Sequence, residues 1–205
     1  MKRMIIALFV ISMIHLLVSC HGEAPFPDES TPKYQKISVQ ELQIFLDGLI
    51  PRGIAICDLM RCFQVDDTPE KKVILYESEY FPAEIEGYSS TDDIKREITE
   101  VFSKAFAQNH LTFHYFEDEN YGPKFIDYEN QLYLNIDKGD FGAMVVWPTE
   151  TLQIVYQSEV EIVVSMERYY IIVDDEKSES ERKELRLIKE DGQWKIDSSL
   201  MRWTD

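Results

Sequence analysis

Chemistry would start from histidines, cysteines and closely spaced carboxylates, and this 205-residue chain offers few such groupings. His110 and His114 lie four residues apart, with Glu117, Asp118 and Glu119 just beyond, and a metal site could be imagined there. The stretch His-Leu-Thr-Phe-His lacks the glutamate of a helical zinc-protease motif, and alternation in Leu111 to Phe116 predicts strand, so no metal is assigned. Asp118 to Gly122 lacks the alternating oxygen ligands and terminal glutamate of a calcium loop, and reads as a solvated turn. Cys57 as a nucleophile would need a histidine beside it in space; lying in an apolar helical stretch, it reads as core. Asp58 interrupts the same stretch and is the acid a helix–sheet pocket could use, but its wheel position lies beside the buried face and predicts solvation. Asp140-Phe141-Gly142 has no glycine-rich loop, strand lysine or catalytic loop around it, and reads as a turn. Neither a nucleophile elbow nor a phosphate loop occurs, so the sequence predicts no catalytic centre and no cofactor.

The N-terminus carries an address. Lys2 and Arg3 precede a predominantly apolar run from Met4 to Val18, too short to span a bilayer comfortably but right for a secretory signal. It ends in Leu17-Val18-Ser19-Cys20, which resembles the lipobox of bacterial lipoproteins. The resemblance implies cleavage after residue 19 and a diacylglyceryl group on Cys20, giving stable membrane anchoring on the extracytoplasmic side. Residues 20–36, with three prolines, read as the lipidated cysteine and a flexible tether, and residues 37–205 as a single domain. The chain has 21 Lys+Arg against 38 Asp+Glu, a net charge of −17, and loss of Lys2 and Arg3 with the signal makes the remainder more acidic. Such a balance excludes nucleic acid and anionic lipid surfaces as natural partners.

Ser38-Val39-Gln40-Glu41 is a capping box, flanked by Ile37 and Leu42 at hydrophobic-staple positions, and predicts a helix start. Leu42, Phe45, Leu46 and Leu49 share one face up to Pro51-Arg52-Gly53; Ile56, Leu59, Met60 and Phe63 then repeat the spacing, predicting a kinked pair or a helical hairpin closed by Asp66-Asp67-Thr68-Pro69. Cys57 and Cys62, five apart on such a helix, face different directions and are read as thiols packed in the core. Val73 to Tyr80 predicts one strand ending at Phe81-Pro82. Ser90, with Asp93 three residues on, caps a helix whose Ile94, Ile98, Val101, Phe102, Ala105 and Phe106 line one face. Strands follow at Leu111 to Phe116, Lys124 to Asp127, Gln131 to Ile136, Met144 to Trp147, Leu152 to Tyr156 and Val160 to Val173. In the last of these, Val160, Ile162, Val164 and Met166 form the apolar face. Asp191-Gly192 predicts a two-residue hairpin pairing Glu190 with Gln193, Lys189 with Trp194 and Leu187 with Ile196.

Helices first and antiparallel strands after predict an α+β fold with N-terminal helices packed on a curved antiparallel β-sheet. This order, and the close in Gly192-Gln193-Trp194-Lys195-Ile196-Asp197, resemble the NTF2-like and cystatin-like group. Four features across residues 72–198 resemble the secreted DL-endopeptidase inhibitor family of Gram-positive bacteria. These are the strand ending at Tyr80, the capped helix with Lys95 and Phe102, the Leu132-to-Trp147 segment with Asn135, Asp137 and Gly139, and Trp194-Lys195-Ile196-Asp197. That resemblance implies a non-catalytic protein whose acidic surface docks on a cell-wall peptidase or another basic envelope protein. Acidic tips near aromatics are the expected contacts: Glu117, Asp118 and Glu119, then Asp174, Asp175 and Glu176. Two other readings remain at this stage: a small-molecule sensor or enzyme with an NTF2-like pocket, and a structural accessory of an envelope complex.

Overall fold

Ser38 starts the first helix as its capping box requires: the Ser38 N–H and Oγ–H donate to Glu41 Oε2 at 2.9 and 2.7 Å, and the Glu41 N–H donates back to Ser38 Oγ at 3.3 Å. In the computed structural model, which describes residues 35–61, 71–118, 122–138, 144–171 and 179–201, this helix is α1 (Val39–Arg61). The lipobox with Cys20, the tether up to residue 34, Cys62, Phe63 and the Asp66–Pro69 segment lie outside the described residues. All the elements below belong to the compact unit that begins at Lys36.

The expected pair of helices is instead one helix running through Pro51. Proline removes one intrahelical donor and crowds the carbonyl four residues back, that of Asp47. Pro51 is exposed, so the disturbed hydrogen bond lies on the outer side of α1, away from its core face. On the inner side Leu42, Leu46, Leu49, Ile50, Ile56 and Met60 are buried, and Cys57 is buried with them.

The segment expected as one strand folds into the hairpin β1 (Val73–Leu75) and β2 (Ser78–Pro82), pairing Val73 with Tyr80. Its turn residues Tyr76 and Glu77 both adopt positive φ, 53° and 62°. Neither is a residue type that announces such a turn, which is why the run reads as continuous. After the second helix and its continuation come β3 (Phe125–Tyr128) and β4 (Gln131–Asn135), and the four strands form an antiparallel sheet in the order β1-β2-β4-β3. Gly122 leads into it at φ 72°, where an added Cβ would stand 2.6 Å from the Tyr80 hydroxyl, so this position needs glycine on both steric and conformational grounds.

Helix α2 (Thr91–Val101) is capped as predicted, Ser90 Oγ accepting from the Asp93 N–H at 3.2 Å. Ser90→Ala is expected to lower stability by about 1 kcal/mol, measured by urea unfolding. The helix stops five residues short of the predicted end. Phe102 is extended, and Ser103 starts a second helical stretch by accepting from the Phe106 N–H at 3.0 Å. That stretch comprises α3 (Lys104–Phe106), a π-helical turn (Ala107–Thr112) and α4 (Phe113–Phe116). Ala105 is consequently exposed, and the strand expected at Leu111 to Phe116 is helical. The break is pinned by the last strand of the fold: Phe102 bridges Ile196, the Ser103 N–H donates to the Ile196 carbonyl at 2.8 Å, and Ser103 Oγ–H donates to Asp197.

The second sheet follows the expected strands: β5 (Met144–Val146), β6 (Gln153–Gln157), β7 (Glu161–Ile171), β8 (Glu179–Glu190) and β9 (Gln193–Ile196). Their order is β5-β7-β8-β9, and β6 also pairs with β7, so β5 and β6 lie end to end along one edge of that strand. Between them a 3-10 turn (Thr149–Thr151) spans the gap, and Thr151 Oγ1 accepts from the Glu167 N–H at 2.9 Å. The β8–β9 register is the predicted one, Leu187 opposite Ile196 and Glu190 opposite Gln193, with Asp191 and Gly192 both at positive φ. Along β7 the inward residues are Ile162, Val164, Met166, Arg168 and Tyr170, whereas Val160, expected on that face, is 60% exposed just before the strand. The result is an α+β fold with helices packed on curled antiparallel sheets.

Candidate functional site

The flank of α1, where its core face meets its outer side, faces the start of the second sheet across an open groove. Leu46, Ile50 and Ile54 line it from the helix, and Val145, Val146 and Trp147 from β5 and the residue after it. Pro51 and Ala55 also line it, and its volume is about 420 Å³. Helical spacing explains the helix side: residues 47, 51, 54, 55 and 58 recur on one stripe, next to the stripe that enters the core. The stripe is mostly apolar, but it carries Asp47 and Asp58, which line the groove as well. Eleven residues along a helix separate these two acids by about 16 Å. Thr149, at the start of the 3-10 turn, donates its hydroxyl to the Asp47 carboxylate and so ties groove wall to helix.

Trp147 is held in this wall from behind. Its indole N–H donates to the Leu200 carbonyl at 3.0 Å, and the Arg168 guanidinium lies 5.3 Å from its ring and 4.9 Å from that of Tyr170. Arg168 is only 5% exposed; it pairs with Glu181 and reaches the Met201 carbonyl at 3.5 Å. Glu181 also accepts from the Tyr170 hydroxyl, and the Arg168 and Tyr170 hydrogen bonds pull its carboxyl down to a pKa of about 2. The groove wall thus rests on a buried cation and on the backbone at Leu200 and Met201.

Two of the expected contact acids, Glu117 and Asp118, lie among the described residues, away from this groove's lining. Asp118 forms an ion pair with Lys138 at 2.7 Å, and Glu117 accepts from the Gln108 side chain at 3.2 Å. Glu119, Asp174, Asp175, Glu176 and the Asp140-Phe141-Gly142 tripeptide lie outside the described residues. His110 lays its ring against Phe106, centroids 4.7 Å apart, because the π-helical turn brings the two together. Among the described residues no three His, Cys, Asp or Glu side chains converge as metal ligands, and no helix is long and apolar enough to cross a membrane. Asp58 is exposed, as its wheel position predicts, but it faces the groove.

The sequence raised a helix–sheet pocket only through Asp58 and did not identify the rest of the groove's lining. Its residues come from two segments almost a hundred positions apart, and each half alone looks like the margin of an amphipathic element. One signal was available: the stripe next to the core face of α1 carries Pro51, Ile54 and Ala55 where a solvated stripe would carry charges. Comparison with protein-family models and with curated proteins finds no match to this chain.

Proposed function

We propose that this chain is a lipid-anchored extracytoplasmic binding protein that regulates or inhibits a basic cell-wall peptidase. The observation that carries the reading is the open apolar groove with a carboxylate toward each end, on a chain of net charge −17. Apolar area supplies the contact energy, and the surrounding negative field speeds encounter with a basic partner and selects for it. The lipobox and the family resemblance supply the compartment and the class of partner. A sensor or enzyme built around an NTF2-like pocket would enclose its ligand and converge polar groups on it. Here Asp47 and Thr149 meet toward one end of an open groove and Asp58 lies about 16 Å away along the helix, an arrangement that suits a protein surface better.

The test uses the full lipidated chain in zwitterionic nanodiscs, added to a purified DL-endopeptidase digesting cell-wall peptides. Slower peptide release at 50 mM salt, weakening at 300 mM, is the expected result; unchanged release at a tenfold molar excess of the chain would overturn it. Separately, Cys20→Ala should move the protein from the membrane fraction to the soluble fraction.

A further inference from the structure

We propose that the groove between α1 and β5 binds a segment of the partner in which a short apolar stretch is flanked by lysine or arginine. This rests on the reading of the chain as a binding protein and specifies what the groove receives. Three features define the occupant. The groove between the two acids is lined mainly by Ile50, Pro51, Ile54, Ala55, Val146 and Trp147, so the middle of the segment is apolar. Val146 is 40% exposed and Ile44, one turn before Asp47 on the same stripe, is 68% exposed, so apolar surface extends past the groove at that end.

Asp47 and Asp58 lie about 16 Å apart along the helix, which five residues of extended chain span at roughly 3.3 Å each. Charge complementarity therefore places one cation near each carboxylate, with about four residues between them. The Asp47 end also offers a backbone acceptor, because Pro51 has no N–H to give to the Asp47 carbonyl. The polar side chains that the helix itself gives the groove, Asp47 and Asp58, are both carboxylates, and an occupant of the opposite character, rich in donors and cations, is the complement.

The proposal does not require the acids to lack other partners. Asp47 already accepts from Thr149, and a carboxylate has lone pairs for more than one donor. That existing hydrogen bond fixes one carboxylate against the groove wall and lowers the ordering cost of binding.

The test is fluorescence anisotropy with a labelled probe peptide, Lys-Leu-Val-Ala-Leu-Lys, and its Glu-flanked counterpart. Full chain in zwitterionic nanodiscs is titrated in, with empty nanodiscs as the blank. The Lys peptide should bind at least about tenfold tighter than the Glu peptide at 50 mM salt, and the gap should narrow at 300 mM. Asp47→Asn and Asp58→Asn should each weaken it about two- to fivefold. Ala55→Trp, at an exposed position, should fill the groove and weaken binding more than about tenfold while the melting temperature stays within a few degrees. Equal binding of the two peptides, or an Ala55→Trp chain that binds as wild type, would overturn the proposal. So would sedimentation showing a wild-type dimer that Ala55→Trp dissociates, since the groove would then hold a second copy. If the peptide fails but the peptidase is still inhibited by wild type and Ala55→Trp alike, the groove assignment falls and the binding-protein reading stands; if inhibition is absent too, that reading falls with it.

Discussion

Replacing Phe102 by alanine should lower the unfolding free energy by about 4 kcal/mol and the melting temperature by roughly 12 °C. Phe102 is fully buried and sits where three parts of the fold meet. Its backbone bridges Ile196 of β9 and its ring stacks on Phe106 with centroids 5.3 Å apart. From α1, a Cβ built on Gly53 would stand 3.4 Å from the ring, so helix and ring are in close contact. Such a site cannot collapse easily, because the neighbouring backbone is fixed by the Ser103–Ile196 and Ser103–Asp197 hydrogen bonds. Phe102→Leu, which keeps most of the volume, should cost under about 2 kcal/mol. Urea unfolding of both variants checks this, and an alanine cost below about 2 kcal/mol would mean that the cavity closes and the junction is softer than its contacts suggest.

The second large effect is expected at Arg168. Arg168→Met should cost about 2 kcal/mol, less than the 3–5 of a fully enclosed pair, since the Glu181 side chain is 38% exposed and regains water. The variant also loses the cation held against Trp147 and Tyr170. The pH dependence gives a sharper signature. Glu181 is held at about 2 against an ordinary value of 4.5, so the unfolded chain binds its proton more readily than the folded one. Its contribution to stability is full above about pH 4.5 and is lost as the pH falls toward 2. Wild type should therefore lose stability over that window more steeply than Arg168→Met. Parallel slopes from denaturant titrations between pH 5 and pH 2 would show that the pair does not carry the effect.

Much of the scaffold was legible because local chemistry decides it. The Ser38–Glu41 and Ser90–Asp93 caps satisfy helix N–H groups within four residues, and Asp191-Gly192 accommodates the positive φ values that its hairpin demands. Alternation along Ile162, Val164 and Met166 is imposed by the pleat and needs no partner to be read. Where the sequence misled, a distant contact had overruled the local pattern. Tyr76 and Glu77 take a turn conformation beside Gly122, whose added Cβ would come within 2.7 Å of Tyr76. Phe102 leaves the helix because β9 supplies it with a bridge. Leu111 to Phe116 alternate like a strand, yet Leu111 and Phe116 are buried from a helical backbone. The candidate site was least legible: the ion pair of Asp118 with Lys138, twenty positions on, has no local signature, and the groove exists only once β5 stands beside α1.

The long hairpin of β7 and β8, continued into β9, is built from neighbours in the chain and can zip up as soon as it is made. Helix α1 is the opposite case. It precedes its partners in the chain: Gly53 packs on Phe102 and Leu200, and Trp147 is braced by the Leu200 carbonyl. Part of the packing on α1 is therefore completed only by residues much further along the chain. Until Leu200 is made, the Gly53 side of α1 lacks one of its covering contacts, an interval in which exposed apolar surface favours aggregation, and a cut before Leu200 would make the exposure permanent.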